Sequence, residues 1–281
     1  MRASWRVCIV GHGKVGRAFM RSIEPAGLTL TSLRGRNTRG PVPAADVYLL
    51  AVPDAALRAV ASRLAPHLAP TAVALHCAGA RDVDELAPLA AVGLAVGVFH
   101  PLVSFAGTRG DTSLRGATFT AHGQTRATRC ARRLATRLDA RCVVLAAPPG
   151  PAYHAAAALV ANGAAALSHA GVSVLRELGF TTRAAEHALG ALLASVAQNV
   201  AHVGLPTALT GPVVRGDVPT VQRHLDALGA LDPKLREVYA AMQPAIVACA
   251  VAAGLPAQTA RKLRSASAAA PAMRQKRTPT R

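Results

Sequence analysis

The sequence predicts an α/β protein in which a doubly wound sheet at the N-terminus is followed by an all-helical C-terminal domain. In the first half of the chain, short apolar runs alternate with helix-like segments, which is typical of a sheet covered by helices on both faces. Around residues 148–151 (PPGP) this alternation stops and the chain becomes continuously helix-like. The hydrophobic fraction of 51% comes mainly from Ala, Leu and Val, and the 3% of aromatic residues disfavours an aromatic-rich sandwich.

The predicted strands are short and mostly apolar. Val47–Val52 (VYLLAV) is a continuous apolar run, as expected of a parallel-sheet strand that is buried on both faces. Strands are predicted at residues 5–10, 28–33, 46–52, 71–76, 93–98, 116–121 and 141–146. Helices are predicted between them at Val15–Ser22, Ala55–Leu64 and Thr125–Leu138.

The second half is predicted to contain long helices. One covers Tyr153–Leu178 and a second covers Ala184–His202. A later helix has clear end signals, with Asp232 as N-cap, Pro233 at the first helical position and Gly254 just past its end. The predicted domains are therefore an α/β domain over residues 1–148, for which the glycine motif described below predicts dinucleotide binding, a helical substrate and dimerisation domain over 149–264, and a basic disordered tail over 265–281.

The formal charge of +18 is unevenly distributed. Residues 261–281 contain seven Lys or Arg and no acid, and residues 1–40 contain eight against the single Glu24. A basic N-terminal segment suits a phosphate-bearing ligand. Nucleic-acid binding is a disfavoured alternative, because few aromatic side chains are present to stack on bases.

Two long uncharged stretches, Cys142–Leu175 and His187–Val214, exceed the ~20 residues that span a bilayer. Both are rich in Ala and are interrupted by polar residues, so we predict buried helices at a domain core or subunit interface, and no membrane span. A homodimer is expected, because uncharged helices of this kind would otherwise expose large apolar patches. The five cysteines contain no C-x-x-C pair, no metal site is predicted, and the N-terminus lacks a signal-peptide pattern, so a cytoplasmic location is expected.

The segment Arg6–Gly16 (RVCIVGHGKVG) places three glycines after an apolar strand and at the start of a helix. This context is typical of a Rossmann-type dinucleotide site. Gly11 permits the tight turn, Gly13 lets the backbone approach a pyrophosphate, and Gly16 allows close packing of helix on strand. The remaining residues of the predicted turn are His12, Lys14 and Val15. A glycine turn without a ligand is the alternative.

The end of the second predicted strand indicates which dinucleotide binds. An NAD site usually has a carboxylate there, but residues 32–37 read SLRGRN. Arg34 and Arg36 could instead contact a 2′-phosphate, although they could also be ordinary surface charges. We therefore expect NADP, with NADPH preferred and NAD possible. Ala51, Val52 and Pro53 end the third strand and are expected to cover the adenosine side of the cofactor.

Two histidines are expected at the same edge of the sheet. His76 lies in LHCAGA and His100 in FHPLVSF, each at a predicted strand end. His76 is a candidate substrate-binding residue and His100 a candidate catalytic one. Each could equally be a hydrogen-bonded structural histidine.

Six motifs, in order, resemble a bacterial family that joins a Rossmann-like domain to a helical domain of unknown function. They are GHGKVG, LLAVPD, LHCAGA, FHPLVSF, GPAYHAAAALVAN and ALTGPVVRGD, and together they cover about residues 5–260. The architecture more distantly resembles pyrroline-5-carboxylate reductase, 3-hydroxyisobutyrate dehydrogenase and prephenate dehydrogenase. The resemblance implies NAD(P)H bound in the first domain and a substrate site between the two domains.

The sequence differs from these related enzymes at one catalytic position. In the β-hydroxyacid dehydrogenases a catalytic Lys precedes an Asn by one turn, and alignment on Asn162 puts Ala158 at the Lys position. His154, one turn earlier still, becomes the candidate acid–base group. His154 and Asn162 lie about 12 Å apart along a helix axis, so they could line one cleft but not bond one atom. For both residues, a purely structural role is the alternative.

The segment TGPVVRGD, residues 210–217, is the last candidate. Arg215 could hold a substrate carboxylate, with Asp217 orienting it or capping the next helix, or the two could simply pair. Taken together, the residues suggest an NAD(P)-dependent oxidoreductase that transfers a hydride to or from a small C=O or C=N substrate. A catalytically inactive NADP(H)-binding sensor is the alternative.

Overall fold

The computed structural model describes residues 5–33, 41–107, 112–148 and 150–268. The chain divides into two compact units, Met1–Ala161 and Asn162–Arg281. This division falls inside a long helix, thirteen residues after the boundary expected at residue 148. The helix begins in the first unit and contributes its first turns to it.

The first unit contains a seven-stranded sheet with the strand order β2-β1-β3-β4-β5-β6-β7. Its strands are β1 Arg6–Val10, β2 Thr29–Leu33, β3 Val47–Leu50, β4 Val73–His76, β5 Ala95–Pro101, β6 Thr118–Gly123 and β7 Arg141–Val144. Every strand lies within or overlaps a predicted segment. The predicted fold class, a Rossmann-type sheet followed by helices, is confirmed.

One pairing differs from the wholly parallel sheet that the alternation predicts. Strand β6 runs antiparallel to β5, whereas all other pairs are parallel. A parallel neighbour needs a crossover, usually a helix. The described parts of the β5–β6 connection, 102–107 and 112–117, contain no helix, so the chain returns beside β5 in the opposite direction. A helix next occurs between β6 and β7, which are again parallel.

Helices cover both faces of this sheet. They are α1 Lys14–Ile23, α2 Leu57–Leu64, α3 Ala87–Ala91 and α4 Thr125–Arg137. Successive residues of β1 alternate between two cores, with Ile9 packed under α1 and α4 and Cys8 under α2 and α3. The first core contains stacked Phe99 and Phe119 rings with centroids 4.3 Å apart. Because β1, β3, β4 and β5 are parallel, the loops that follow these strands lie at one edge of the sheet.

The remaining helices are α5 Gly150–Glu177, α6 Thr182–Val203, α7 Val218–Leu231, α8 Pro233–Ala252 and α9 Ala257–Ala268. Helices α7, α8 and α9 surround a small core that includes Val221, Val247 and Leu263. Helix α8 starts as predicted, with the Asp232 carboxylate accepting from the Lys234 backbone N–H. Helix α9 extends to Ala268, so the first four residues of the expected tail are helical.

Helices α5 and α6 are exposed along most of their length. No residue of α5 is buried, and in α6 only Ala185 is. Helices α5 and α8 are long and apolar enough to cross a membrane by length and composition, within the described part of the chain. This is weak evidence, since α8 packs into a protein core.

Candidate functional site

The glycine turn between β1 and α1 has three positions that differ in the space around them. At Gly11, with φ +108°, a Cβ would overlap the Ala51 carbonyl oxygen, and at Gly16 it would overlap the Gly11 carbonyl oxygen. At Gly13 a Cβ would meet nothing within 4 Å. The outer glycines are therefore required by packing, whereas Gly13 faces open space in which a ligand could approach the backbone.

The start of α1 offers hydrogen-bond donors to such a ligand. Gly13 is the N-cap, no side chain caps the helix, and its first turn has no acidic residue. An uncapped helix N-terminus is a natural site for a phosphate anion. His12 Nε2 and Arg17 Nε are buried there without hydrogen-bond partners among the described residues, while Arg17 Nη1 donates to the His12 carbonyl at 2.8 Å. These features fit a dinucleotide pyrophosphate.

A cavity of about 260 Å³ opens beside this turn. It is lined by the predicted cofactor residues Gly11, His12, Gly13, Ala51, Val52 and Pro53, together with Ala56 and Val60. Lys14 is exposed and Val15 is half-buried at the start of α1. Six of the predicted cofactor residues thus lie around one cavity, and Ala56 and Val60 of the following helical segment add an apolar wall that sequence analysis did not identify.

The predicted 2′-phosphate residues lie outside the described residues. Arg34 and Arg36 follow β2, which ends at Leu33. The Leu33 carbonyl accepts a hydrogen bond from the Gly11 N–H at 2.9 Å. The end of β2 therefore lies beside the glycine turn, where a discriminating residue is expected.

His76 ends β4 and is completely buried. Its Nε2 lies 3.0 Å from the Asp82 carbonyl oxygen, and its Nδ1 accepts from the Ala78 N–H at 3.3 Å. Burial lowers the pKa of this imidazole from its ordinary value. Because both ring nitrogens bond to backbone, the arrangement favours the structural alternative over substrate binding.

His100 lies near the end of β5 and makes contacts that link three elements of the first unit. Its Nδ1 lies 2.8 Å from the hydroxyl of Tyr153, in the first turn of α5. The same hydroxyl lies 2.8 Å from Oγ1 of Thr120, the residue that pairs with His100 on β6. A Cβ at Gly79 would lie 2.6 to 2.8 Å from Nε2, Cδ2 and Cε1 of His100, so the glycine permits the imidazole to occupy this place.

Burial lowers the pKa of His100 to about 4, so the imidazole is neutral at physiological pH. The nearby His154 contributes to this shift, with its ring centroid 6.2 Å from that of His100. His154 itself is exposed on α5. The pair therefore combines a half-buried neutral imidazole with an exposed one.

The other candidates belong to the second unit. Asn162 is exposed on α5, so no buried amide requires a partner there. Arg215 is exposed before α7, and Asp217 caps that helix by accepting from the Thr220 N–H at 3.0 Å. The hydrogen bond from the Thr220 hydroxyl lowers the pKa of Asp217. The capping role of Asp217 is thus the one the structure shows.

Sequence analysis missed Tyr153 and Thr120. Tyr153 directly precedes His154 in GPAYHAAAALVAN, and a phenol in an Ala-rich segment could have been noticed. Thr120 gives no such signal, because it meets His100 only through the antiparallel pairing of β5 and β6. No group of three or more His, Cys, Asp or Glu residues suited to a metal occurs in the described ranges.

Residues 117–246 match the family model of DUF2520, a domain of unknown function, which confirms the resemblance to a family with such a domain. The search of curated proteins found no match.

Several solved structures share the fold at low sequence identity. A candidate NADP oxidoreductase from Bacteroides fragilis has a TM-score of 0.66 at 16% identity, over 86% of this chain and 98% of its own. A Thermotoga maritima protein has a TM-score of 0.58 at 23% identity, over 84% and 99%. Pyrroline carboxylate reductase from Plasmodium falciparum, solved with NADP bound, has a TM-score of 0.59 at 10% identity, over 94% and 98%.

Proposed function

We propose that this protein is an NADP-dependent oxidoreductase that transfers a hydride to or from a small C=O or C=N substrate. The observation that carries the proposal is the glycine turn, in which Gly13 faces open space at an uncapped helix N-terminus. An enzyme that binds a dinucleotide in this way places it along the carboxyl edge of the sheet. His100 and His154 lie near that edge, at the end of β5 and the start of α5.

The similar structures support the coarse part of this proposal. The Bacteroides fragilis protein is described as a candidate NADP oxidoreductase, and the Plasmodium falciparum enzyme is a reductase with NADP bound. Their sequence identities of 16% and 10% make them evidence for fold alone. The activity is therefore inferred from the residues of this chain.

The dinucleotide would supply the hydride when bound, and the protein would supply position, a proton and charge stabilisation. His154 is exposed and would act as the general acid or base. His100, which is neutral, would form a hydrogen bond to the reacting carbonyl or imine group. Asn162 would position the substrate and Arg215 would bind an anionic part of it, as the sequence suggested.

The preference for NADPH over NADH is part of the proposal. Arg34 and Arg36 follow the β2 end that lies beside the glycine turn, and residues 32–37 contain no carboxylate to accept a hydrogen bond from a ribose 2′-hydroxyl. Guanidinium groups would instead form charge-assisted hydrogen bonds to a 2′-phosphate.

Calorimetric titration of the purified protein with NADPH and with NADH tests the cofactor. We expect NADPH to bind more tightly, and the double variant Arg34→Ala/Arg36→Ala to lose at least about tenfold in NADPH affinity, or about 1.4 kcal/mol. The matched control is Arg129→Ala/Arg132→Ala, which removes the same charge from exposed positions of α4. An equal loss in both double variants would indicate a general charge effect and contradict a 2′-phosphate site.

Turnover separates the enzyme from the non-catalytic alternative. The protein is incubated with NADPH and a panel of imines, keto acids and aldehydes, and NADPH oxidation is followed by absorbance. Oxidation that depends on substrate supports the proposal. Tight NADPH binding without oxidation across the panel would favour a sensor, and failure to bind either dinucleotide would refute both.

The same protein is proposed to be a homodimer. Large apolar side chains are exposed on α5 and α6, including Leu159 at 78%, Val160 at 72% and Leu192 at 60%. Large apolar side chains that are exposed in such numbers suggest a surface that another molecule covers. A second copy of the chain would cover it with an equally uncharged face.

A further inference from the structure

The hydroxyl of Tyr153 lies where it can determine which ring nitrogen of His100 carries the proton. The phenol oxygen is 2.8 Å from His100 Nδ1 and 2.8 Å from Thr120 Oγ1. The rings of His100 and Tyr153 are nearly perpendicular, at 80°, with centroids 5.5 Å apart. All three residues come from different elements, namely β5, β6 and α5. The short chain of hydrogen bonds is therefore a tertiary feature of the first unit.

Two arrangements of these hydrogen bonds give the Tyr153 hydrogen an acceptor. A third, in which the phenol oxygen accepts from both neighbours, leaves that hydrogen without an acceptor among the described residues. A neutral imidazole carries one ring proton, and a phenol has one hydrogen to donate. In the first arrangement Thr120 donates to the Tyr153 oxygen, Tyr153 donates to Nδ1, and His100 carries its proton on Nε2. In the second, Nδ1–H donates to Tyr153, Tyr153 donates to Thr120, and Nε2 is an unprotonated acceptor.

The burial of Thr120 distinguishes the two arrangements. Thr120 is only 5% exposed, and within the described part of the chain Tyr153 is the sole hydrogen-bond partner of its hydroxyl. The second arrangement would leave the Thr120 hydrogen without an acceptor, at the cost of an unsatisfied buried donor. The first arrangement gives both hydroxyl hydrogens an acceptor and leaves only the Nε2–H of His100, a partly exposed residue, without a partner among the described residues. Burial also raises the pKa of Tyr153, which keeps the phenol protonated and able to donate.

We propose that Tyr153, itself held by Thr120, is a positioning residue that fixes His100 as the Nε2–H tautomer. His100 then presents an N–H donor to a substrate oxygen or nitrogen, and cannot serve as a base through that atom. Nε2 has no hydrogen-bond partner among the described residues. The nearly equal distances from a Gly79 Cβ to Nε2, Cδ2 and Cε1 place that glycine over the ring face, so the in-plane direction of the N–H is not blocked by it.

This inference rests on the proposed function only for what the N–H donor binds. An N–H donor at this point stabilises negative charge that develops on the substrate atom as hydride is added to a C=O or C=N group. The two imidazoles would then have different roles. His100 would polarise the substrate, and the exposed His154 would act as the general acid or base.

The tautomer can be measured directly by 15N NMR of the full-length protein labelled at its histidines. The His100 resonances are identified by their loss in His100→Asn. We expect a pyridine-type Nδ1 and a protonated Nε2 at neutral pH, with the second tautomer appearing in Tyr153→Phe and Thr120→Val. Thr120→Ser keeps the hydroxyl and should behave as the wild type. A protonated Nδ1 in the wild type, or identical tautomer populations in Tyr153→Phe, would overturn the proposal.

Kinetics provide the second readout once a substrate is found. Tyr153→Phe should lower kcat at least tenfold while leaving KM and NADPH affinity within about twofold, because uniform binding is retained. Thr120→Ser should restore the kcat that Thr120→Val loses. If NADPH fails to bind, the proposed function fails, but the NMR experiment still decides whether Tyr153 sets the tautomer of His100.

Discussion

Replacing Gly13 by Ala should separate cofactor binding from folding. The residue has φ −68°, which Ala adopts without strain, and its Cβ would meet nothing within 4 Å. Ala is a poorer N-cap than Gly, but it also reduces the entropy of the unfolded chain, so the free energy of unfolding should change by about 1 kcal/mol or less. The new methyl group would occupy the space that we assign to the pyrophosphate.

Gly16→Ala should behave in the opposite way. In an ordinary helix this substitution stabilises by about 1 kcal/mol. Here the Cβ would overlap the Gly11 carbonyl oxygen, a backbone atom that no rotamer change can move aside. Overpacking of this kind costs about 1–3 kcal/mol or more, so Gly16→Ala should lower the melting temperature.

Thermal unfolding and calorimetric titration with NADPH measure the two effects. Gly13→Ala should keep the wild-type melting temperature and lose at least about tenfold in affinity, or about 1.4 kcal/mol. Gly163→Ala is the matched control, since its Cβ also meets nothing within 4 Å but lies on α5. Wild-type NADPH affinity in Gly13→Ala would refute the assignment of this space to the pyrophosphate, and strong destabilisation would show that Gly13 is structural.

Three further predictions concern the histidines and the exposed helices. His154→Ala should leave NADPH affinity unchanged and slow turnover by ~10²-fold in steady-state kinetics, and unchanged turnover would remove His154 from the mechanism. Because the folded pKa of His100 is about 4 against an ordinary 6.5, the unfolded chain takes up the proton first as the pH falls, so stability that is present above pH 6.5 is lost towards pH 4. At 1.36 kcal/mol per pKa unit, the loss is at most about 3.4 kcal/mol. Urea unfolding at both pH values should show a smaller loss in His100→Asn, and an equal loss would contradict this origin. Leu192→Glu/Val196→Glu on α6 should convert a dimer to a monomer in analytical ultracentrifugation, whereas Val92→Glu, exposed in the first unit, should leave the dimer intact; dimers in both variants would exclude this face as the interface.

Features that depend on near neighbours in the chain could be predicted from the amino-acid sequence. The glycine turn follows from GHGKVG, because strand, turn and helix lie within about twenty residues. The strands could be located from apolar runs bounded by turn residues, and α8 from its Asp232 cap followed by Pro233. Each of these signals comes from consecutive residues, so it can be recognised without knowing what packs against the segment.

Which of the predicted residues contact one another depends on long-range packing and could not be predicted. The reversed direction of β6 has no local signal, yet it is what pairs Thr120 with His100. Tyr153 is 53 residues from His100 in sequence, and the contact depends on where α5 starts relative to the sheet. His76 and His100 look alike as strand-end histidines, but the first is buried with both nitrogens bonded to backbone and the second keeps Nε2 without a partner among the described residues. Strand direction, register and burial arise from long-range packing, and therefore the chemical role of each histidine could be assigned only in the folded chain.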